Sequence, residues 1–139
     1  TEELDKLNSN GDAIDINKSK KLLNEISKFD NAQAVACVSG YIIAIEAAEG
    51  TDNLLNRVFD VRKNLNQLKF KAGMLVKIPK KSQSKLVDLP VIGLNTLRLI
   101  KKANLNGIAI YPKYTLIHEK RKVLQYAKKY ELKIYDAAQ

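Results

Sequence analysis

Apolar positions along this chain fall into short blocks separated by polar breakers, and the spacing inside each block predicts an element. Residues 1–16 are polar and interrupted by Asn8-Ser9-Asn10-Gly11-Asp12. Leu4, Leu7, Ile14 and Ile16 are too sparse there for a core, so the stretch reads as a linker-like segment. Leu22, Leu23, Ile26 and Phe29 recur at helical spacing and predict a helix over 17–29. Gln33 to Val38 reads as a strand, Ser39-Gly40 as a tight turn, and Tyr41 to Glu46 as the return strand. In that return strand Tyr41, Ile43 and Ile45 alternate with Ile42 and Ala44. Both of its faces are apolar, which predicts burial on both sides.

A helix over 52–65 follows, carrying Leu54, Leu55, Val58, Val61 and Leu65 on one side. Gly73 to Pro79 is the next strand, stopped by its proline. Residues 80–85 read as a basic loop, and residues 86–93 as an extended segment packed against the sheet. A helix begins at Asn95 or Thr96 and closes at Asn106-Gly107, a favourable C-terminal pair. A strand over 108–111, an ambiguous segment over 114–117, a helix over 119–130 and a strand over 132–135 complete the chain. From the return strand onward the order is βαβαβαβ. The fold class is therefore α/β: a single mixed, mostly parallel sheet (hairpin followed by αβαβαβ) with helices on both faces, formed by residues 17–139 as one domain.

Composition narrows the functional classes. The chain has 139 residues, enough for one domain with a real core, and no apolar run near the ~20 residues of a membrane span. It has no signal-peptide pattern, and it starts at Thr1, which leads us to expect a piece of a longer protein. The single cysteine, Cys37, sits in an apolar run and reads as a buried, inert thiol. One cysteine and one histidine, His118, argue against zinc. The net charge of +9 is uneven: residues 1–60 carry −5 and residues 61–139 carry +14. A basic half of that size points to an anionic partner such as a phosphorylated ligand, an anionic lipid surface or nucleic acid.

Candidate chemistry gathers where the return strand meets its helix, with Glu46, Glu49 and Asp52 within seven residues around Gly50 and Thr51. Thr51 is expected to cap the helix. Glu49 and Asp52 suit either solvated positions or ligands. Glu46 ends a doubly apolar strand, where a charge needs a partner. Ligands of open α/β sheets bind beyond the carboxyl ends of the strands, so the topology collects these residues with Lys77, Lys80, Gln83 and Asp88, and with Tyr111, Lys113 and Tyr114. Carboxylates that hold a Mg²⁺-type ion, beside lysines and backbone N–H groups that neutralise phosphate oxygens, suit phosphate-ester hydrolysis. No Gly-x-x-x-x-Gly-Lys phosphate loop is present.

The run Gly40-Tyr41-Ile42-Ile43-Ala44-Ile45-Glu46-Ala47-Ala48-Glu49-Gly50-Thr51-Asp52 resembles the signature of the LpxI-type UDP-2,3-diacylglucosamine pyrophosphatases. Gly73-Met74-Leu75-Val76-Lys77 is similar to that family's Gly-Val-Leu-Val-Lys strand. Gln83, Asp88-Leu89-Pro90-Val91-Ile92-Gly93 and Thr96 resemble its catalytic-loop region, and Asn104-Leu105-Asn106-Gly107-Ile108-Ala109 its Ala-Gly-Leu-x-Gly-Ile-Ala. The resemblance covers most of residues 31–136. It implies the C-terminal catalytic domain of a cytoplasmic two-domain hydrolase in lipid A (lipopolysaccharide) biosynthesis of Gram-negative bacteria. Such an enzyme splits UDP-2,3-diacylglucosamine into UMP and lipid X with a divalent metal, Mg²⁺ or Mn²⁺. Implied partners are the substrate, an N-terminal domain and, peripherally, the inner membrane, with no nucleic acid.

On this resemblance Asp88, Glu46 and Glu49 are the expected catalytic residues. Gly50, Thr51, Lys77, Lys80, Gln83 and Thr96 are expected to bind substrate phosphate, and Asp88, Glu46 and Asp52 the metal. Ser84 and Leu86 stand where the family's Asp-x-Arg-x-Asp has its first acid and its arginine, so the weight falls on Asp88, and this chain alone is expected to be weakly active or inactive. The alternatives are a basic nucleic-acid-binding module, or a non-catalytic domain that completes a partner domain's site.

Overall fold

The computed structural model describes residues 4–5, 11–27, 33–82 and 85–138, with backbone alone for 80–82 and 85–88. Among these residues the α-helices are α1 (Gly11–Ile26), α2 (Thr51–Asn64), α3 (Leu94–Lys102) and α4 (Lys120–Lys129). The strands are β1 (Ala34–Val38), β2 (Tyr41–Ile45), β3 (Met74–Lys77), β4 (Lys80–Ser82), β5 (Lys85–Asp88), β6 (Val91–Ile92), β7 (Gly107–Ile110), β8 (Leu116–Ile117) and β9 (Lys133–Asp136). Five of them form the main sheet in the order β2-β1-β3-β7-β9. Only β1 runs against the rest: it is antiparallel to β2 and β3, while β3, β7 and β9 pair in parallel. The expected mixed, mostly parallel α/β sheet is therefore present. Helix α1 covers one face, packing Ile16 and Leu23 on Val35, Met74 and Val76. Helices α2, α3 and α4 cover the other, where Leu54, Leu97 and Val123 meet Ala36, Leu75 and Ile108.

Several boundaries differ from the expectation for physical reasons. Helix α1 begins at Gly11, so residues 11–16 are not linker-like; Asp12, Asp15 and Ile16 are all buried. The two acids read as breakers but are anchors. Asp15 accepts hydrogen bonds from Gly40 N (2.7 Å), Ser39 N (3.3 Å) and Cys37 Sγ (3.3 Å), which fixes the hairpin turn. Asp12 accepts from Asn106 Nδ2 at 2.7 Å and from the Tyr135 hydroxyl at 2.8 Å. The expected end of the first helix, at Phe29, lies outside the described residues.

Strand β2 is not buried on both faces. It is the sheet edge, with Tyr41 exposed and Ile42, Ile43 and Ile45 half-buried, and the fully covered strands are β1, β3 and β7. The expected basic loop is an antiparallel ribbon, β4 with β5, that pairs the backbones of Lys80 and Asp88. Asn106-Gly107 does not close α3; its C-cap is Ala103, followed by Asn104 at φ 56°. Gly107 instead opens β7, where a Cβ would lie 2.0 Å from the Lys133 carbonyl oxygen, so the strands can pair only around a glycine. Finally β6 and β8 pair in parallel, with Leu116 N donating to Pro90 O and His118 N to Ile92 O, both at 2.9 Å, which ties together the loops that follow β3 and β7.

Candidate functional site

The sheet register brings two charged side chains together. Ala34 faces Lys77 across β3, and Glu46 N donates to Ala34 O at 2.9 Å across β2. Glu46 and Lys77 thus flank Ala34 in one row, and side chains in such a row share a face of the sheet, here that of α2 and α3. Their Cα atoms stand two strand spacings apart, about 10 Å, and the methyl of Ala34 leaves the space between them open.

Two helix N-termini close over this row. Gly50 is the N-cap of α2 with φ 85°, a conformation that favours glycine, and Gly93 is the N-cap of α3. Neither helix has a side-chain cap, so Thr51 is not the cap it was expected to be. It is the first helical residue, and its hydroxyl donates to Glu46 Oε1 at 3.4 Å. Asp52 joins the two helices by accepting from Asn95 Nδ2 at 2.9 Å and Thr96 Oγ1 at 3.4 Å. Glu46, Glu49, Gly50, Thr51, Asp52, Lys77 and Thr96 line one open cleft with Gln33, Asn53 and Val91.

The electrostatics are uneven across the cleft. Glu46 and Lys77 are 8% and 7% exposed. Burial pushes the Glu46 carboxyl above its ordinary range, against the opposing pull of Lys77, the Thr51 hydroxyl and the Gln33 backbone N–H. Its Oε2 is buried and makes no hydrogen bond among the described residues. Burial likewise pulls the Lys77 ammonium below its ordinary range, with Glu46 and Asp52 opposing, and its Nζ donates to Val91 O at 3.0 Å. Glu49 is drawn away from the row: Arg57 Nη2 holds it at 2.6 Å and also donates to Ile45 O at 2.7 Å. That arginine holds the Glu49 carboxyl below its ordinary range.

The structure places the other candidates less closely. Gln83 lies outside the described residues, as do the side chains of Lys80 and Asp88. The Asp88 backbone pairs with Lys80, three residues past Lys77, and Asp88 lies three residues before Val91, so it is near the same end of the sheet. Tyr111 is half-buried, and Lys113 stands 5.6 Å from the Tyr114 ring centroid. His118 is exposed beside Glu119. Sequence reasoning missed Asn95, Arg57 and Gln33. Of these, only Arg57 carried a signal, as a lone cation among acids in residues 41–60. Among the described residues, no three His, Cys, Asp or Glu side chains converge to hold a metal, and no helix is long and apolar enough to cross a membrane.

Residues 4–135 match a family model described as the LpxI C-terminal domain. The UDP-2,3-diacylglucosamine pyrophosphatase LpxI of Caulobacter vibrioides (strain ATCC 19089 / CIP 103742 / CB 15) is 38% identical over 95 residues, covering 68% of this chain and 34% of that protein. The chain thus spans about a third of the length of the curated relative it matches.

Proposed function

The chain belongs to the LpxI family through its C-terminal domain, and from that premise we propose that it supplies the diphosphate-handling rim of a two-domain hydrolase that cleaves UDP-2,3-diacylglucosamine to UMP and lipid X in lipid A biosynthesis. The observation that carries this reading is the convergence, on one cleft, of two helix N-termini without side-chain caps, a buried lysine and a buried carboxylate with one oxygen unengaged.

Each part has a role. The first backbone N–H groups of α2 and α3 have no intrahelical acceptor and carry the positive ends of the helix dipoles, so they bind phosphate oxygens. Lys77 adds a full charge where little water dilutes it, and stabilises negative charge that builds on the diphosphate as its bridging bond breaks. Glu46 lines the cleft with one carboxylate oxygen unengaged, and orients or deprotonates the attacking water; its raised affinity for a proton suits a general base. Asp52 does not touch the reacting atoms in this scheme. It sets the angle between α2 and α3, and so the spacing of the two sets of N–H donors. Glu49, held by Arg57, shapes the 46–50 turn.

The donors also fit a divalent ion of the Mg²⁺ or Mn²⁺ kind, which one or two carboxylates hold while phosphate and water complete the shell. Glu46 Oε2 and Asp52 are the described donors, and Asp88 is the further candidate. Such an ion, when bound, would neutralise and polarise a phosphoryl oxygen.

The test uses Glu46→Gln, Lys77→Met and Asp88→Asn in the full-length gene product, with UMP release from UDP-2,3-diacylglucosamine as readout. Each substitution is expected to lower kcat by about a hundredfold or more, the scale of a lost base or charge stabiliser, while circular dichroism stays native. Near-normal turnover by folded Glu46→Gln and Lys77→Met variants would remove the rim from the reaction.

A further inference from the structure

We propose that the end of the domain opposite the rim is a docking surface for an anionic lipid bilayer. Three of the large apolar side chains exposed among the described residues meet there: Tyr41 at 75%, Phe70 at 61% and Leu65 at 56%. They share a groove floored by Ile43, Val61 and Ala72, between the start of edge strand β2 and the loop that leaves α2. A contiguous apolar patch of this kind marks an interaction site rather than scattered surface residues.

The surroundings of the groove select the occupant. Lys63 and Lys69 line the adjoining hollow with Asn66 and Leu68. Lys69 Nζ stands 5.3 Å from the Phe70 ring centroid, and Lys71 follows directly. The nearby acids are Asp60, one turn back on α2, Asp15, buried behind the Ser39-Gly40 turn whose amides it accepts from, and Glu131, whose carbonyl accepts from Lys71 Nζ at 2.8 Å. Aromatic and aliphatic side chains at a tip, flanked by lysines, combine insertion at the headgroup boundary with attraction to anionic lipid. Protein interfaces, by contrast, are depleted of lysine at their cores. A second copy of this face would set Lys63 and Lys69 against their own equivalents, which like-charge repulsion opposes.

The groove is also presented rigidly. Arg62, 1% exposed, donates to the carbonyls of Gln67 and Phe70 and so fixes the loop that carries Phe70. The rim lies at the far end of β2, roughly 17 Å away for a five-residue strand, so the groove is a surface separate from the cleft. The inference rests on this surface alone and not on the reaction assigned to the rim.

The chain contains no tryptophan, so Phe70→Trp gives a single fluorescent reporter at an exposed position. Leu116→Trp, also exposed but on β8, is the control. With vesicles of phosphatidylcholine containing phosphatidylglycerol, Phe70→Trp emission is expected to shift blue and to be quenched by brominated acyl chains. Phosphatidylcholine alone or added salt should abolish the shift, and Leu116→Trp should not respond. In co-sedimentation, Leu65→Ser/Phe70→Ser should lower partitioning onto the anionic vesicles by about tenfold or more. The proposal is overturned by absent binding, by equal binding to neutral vesicles, or by binding that the double substitution leaves intact. It is equally overturned if that substitution dissolves a concentration-dependent dimer, or if Phe70→Trp is already shielded in the lipid-free full-length gene product. The first of these last two outcomes assigns the face to a second copy, and the other to a further part of the same protein.

Discussion

Replacing Arg62 by methionine removes the one fully buried cation of the described core while keeping an unbranched apolar stem. Its guanidinium has no carboxylate partner in the hydrogen-bond pattern. Nη1 donates to the carbonyls of Ala103 and Asn104 at 2.7 and 2.8 Å, and Nη2 to those of Gln67 and Phe70 at 2.9 and 2.7 Å. Four charge-assisted bonds thus gather the C-terminal end of α3 and the loop after α2 around one group. Burial without a counter-charge pulls the guanidinium below its ordinary range, a measure of what these carbonyls must offset. With methionine, four carbonyls lose their donor. Each buried acceptor left unsatisfied costs about 1–3 kcal/mol, but three of the four bonds are only part-buried, so water can replace some of them. A net loss of about 3–4 kcal/mol follows, and with a urea m-value of about 1–3 kcal/mol/M the midpoint should fall by roughly 1–4 M. Arg62→Lys keeps the charge but cannot span four acceptors, and should fall between the two. Urea unfolding followed by far-ultraviolet circular dichroism reads all three proteins. A loss below about 1 kcal/mol for Arg62→Met would refute the idea that this network organises the loop.

Further outcomes follow from single positions. Gly107→Ala should cost several kcal/mol, or leave the protein insoluble, because its Cβ meets the Lys133 backbone, whereas Gly11→Ala, with open space around it, should be neutral or slightly stabilising in the same denaturation assay. Cys37, its thiol pushed up to about 12 by burial and by Asp15, should resist thiol reagents at roughly pH 8 and react only at the rate of unfolding, measured by varying urea. Glu46 keeps its proton in the native state to higher pH than in the unfolded chain. Its contribution to stability is therefore full below the ordinary 4.5 and declines as pH rises from there through its raised value. In metal-free buffer the urea midpoint of Glu46→Gln should accordingly gain on that of the native sequence across this window, and a difference that does not change with pH would refute the assigned direction.

Much of the architecture was legible because period and breaker agree along most of the chain. The alternation over residues 33–46 with Ser39-Gly40 between gives the hairpin, and the stripe through Leu54, Leu55 and Val58 gives α2. What stayed hidden was decided by contacts far along the chain. Asp12 and Asp15 look like linker residues until Tyr135, Asn106 and the 37–40 turn supply their donors. The edge position of β2 was illegible because a doubly apolar strand reads as central, while here its spare apolar side chains border an open groove. The sequence showed no spare apolar stripe because Tyr41, Leu65 and Phe70 come from three different segments. At the candidate site, the rule that ligands gather at strand ends brings Glu46, Thr51, Asp52, Lys77 and Thr96 to one cleft. It could not foresee that Arg57 would hold Glu49, or that Asn95 and Thr96 would engage Asp52, since both depend on how α2 and α3 dock.

The small parallel pairing of β6 with β8 has a dynamic consequence. It staples the segment after β3, which includes Asp88, to the segment after β7, which includes Tyr111 and Tyr114. Neither can swing independently while the amides of Leu116 and His118 remain bonded. The two segments should therefore open as one kinetic unit, with matching hydrogen-exchange rates at these amides, and a ligand that orders one should slow exchange in both.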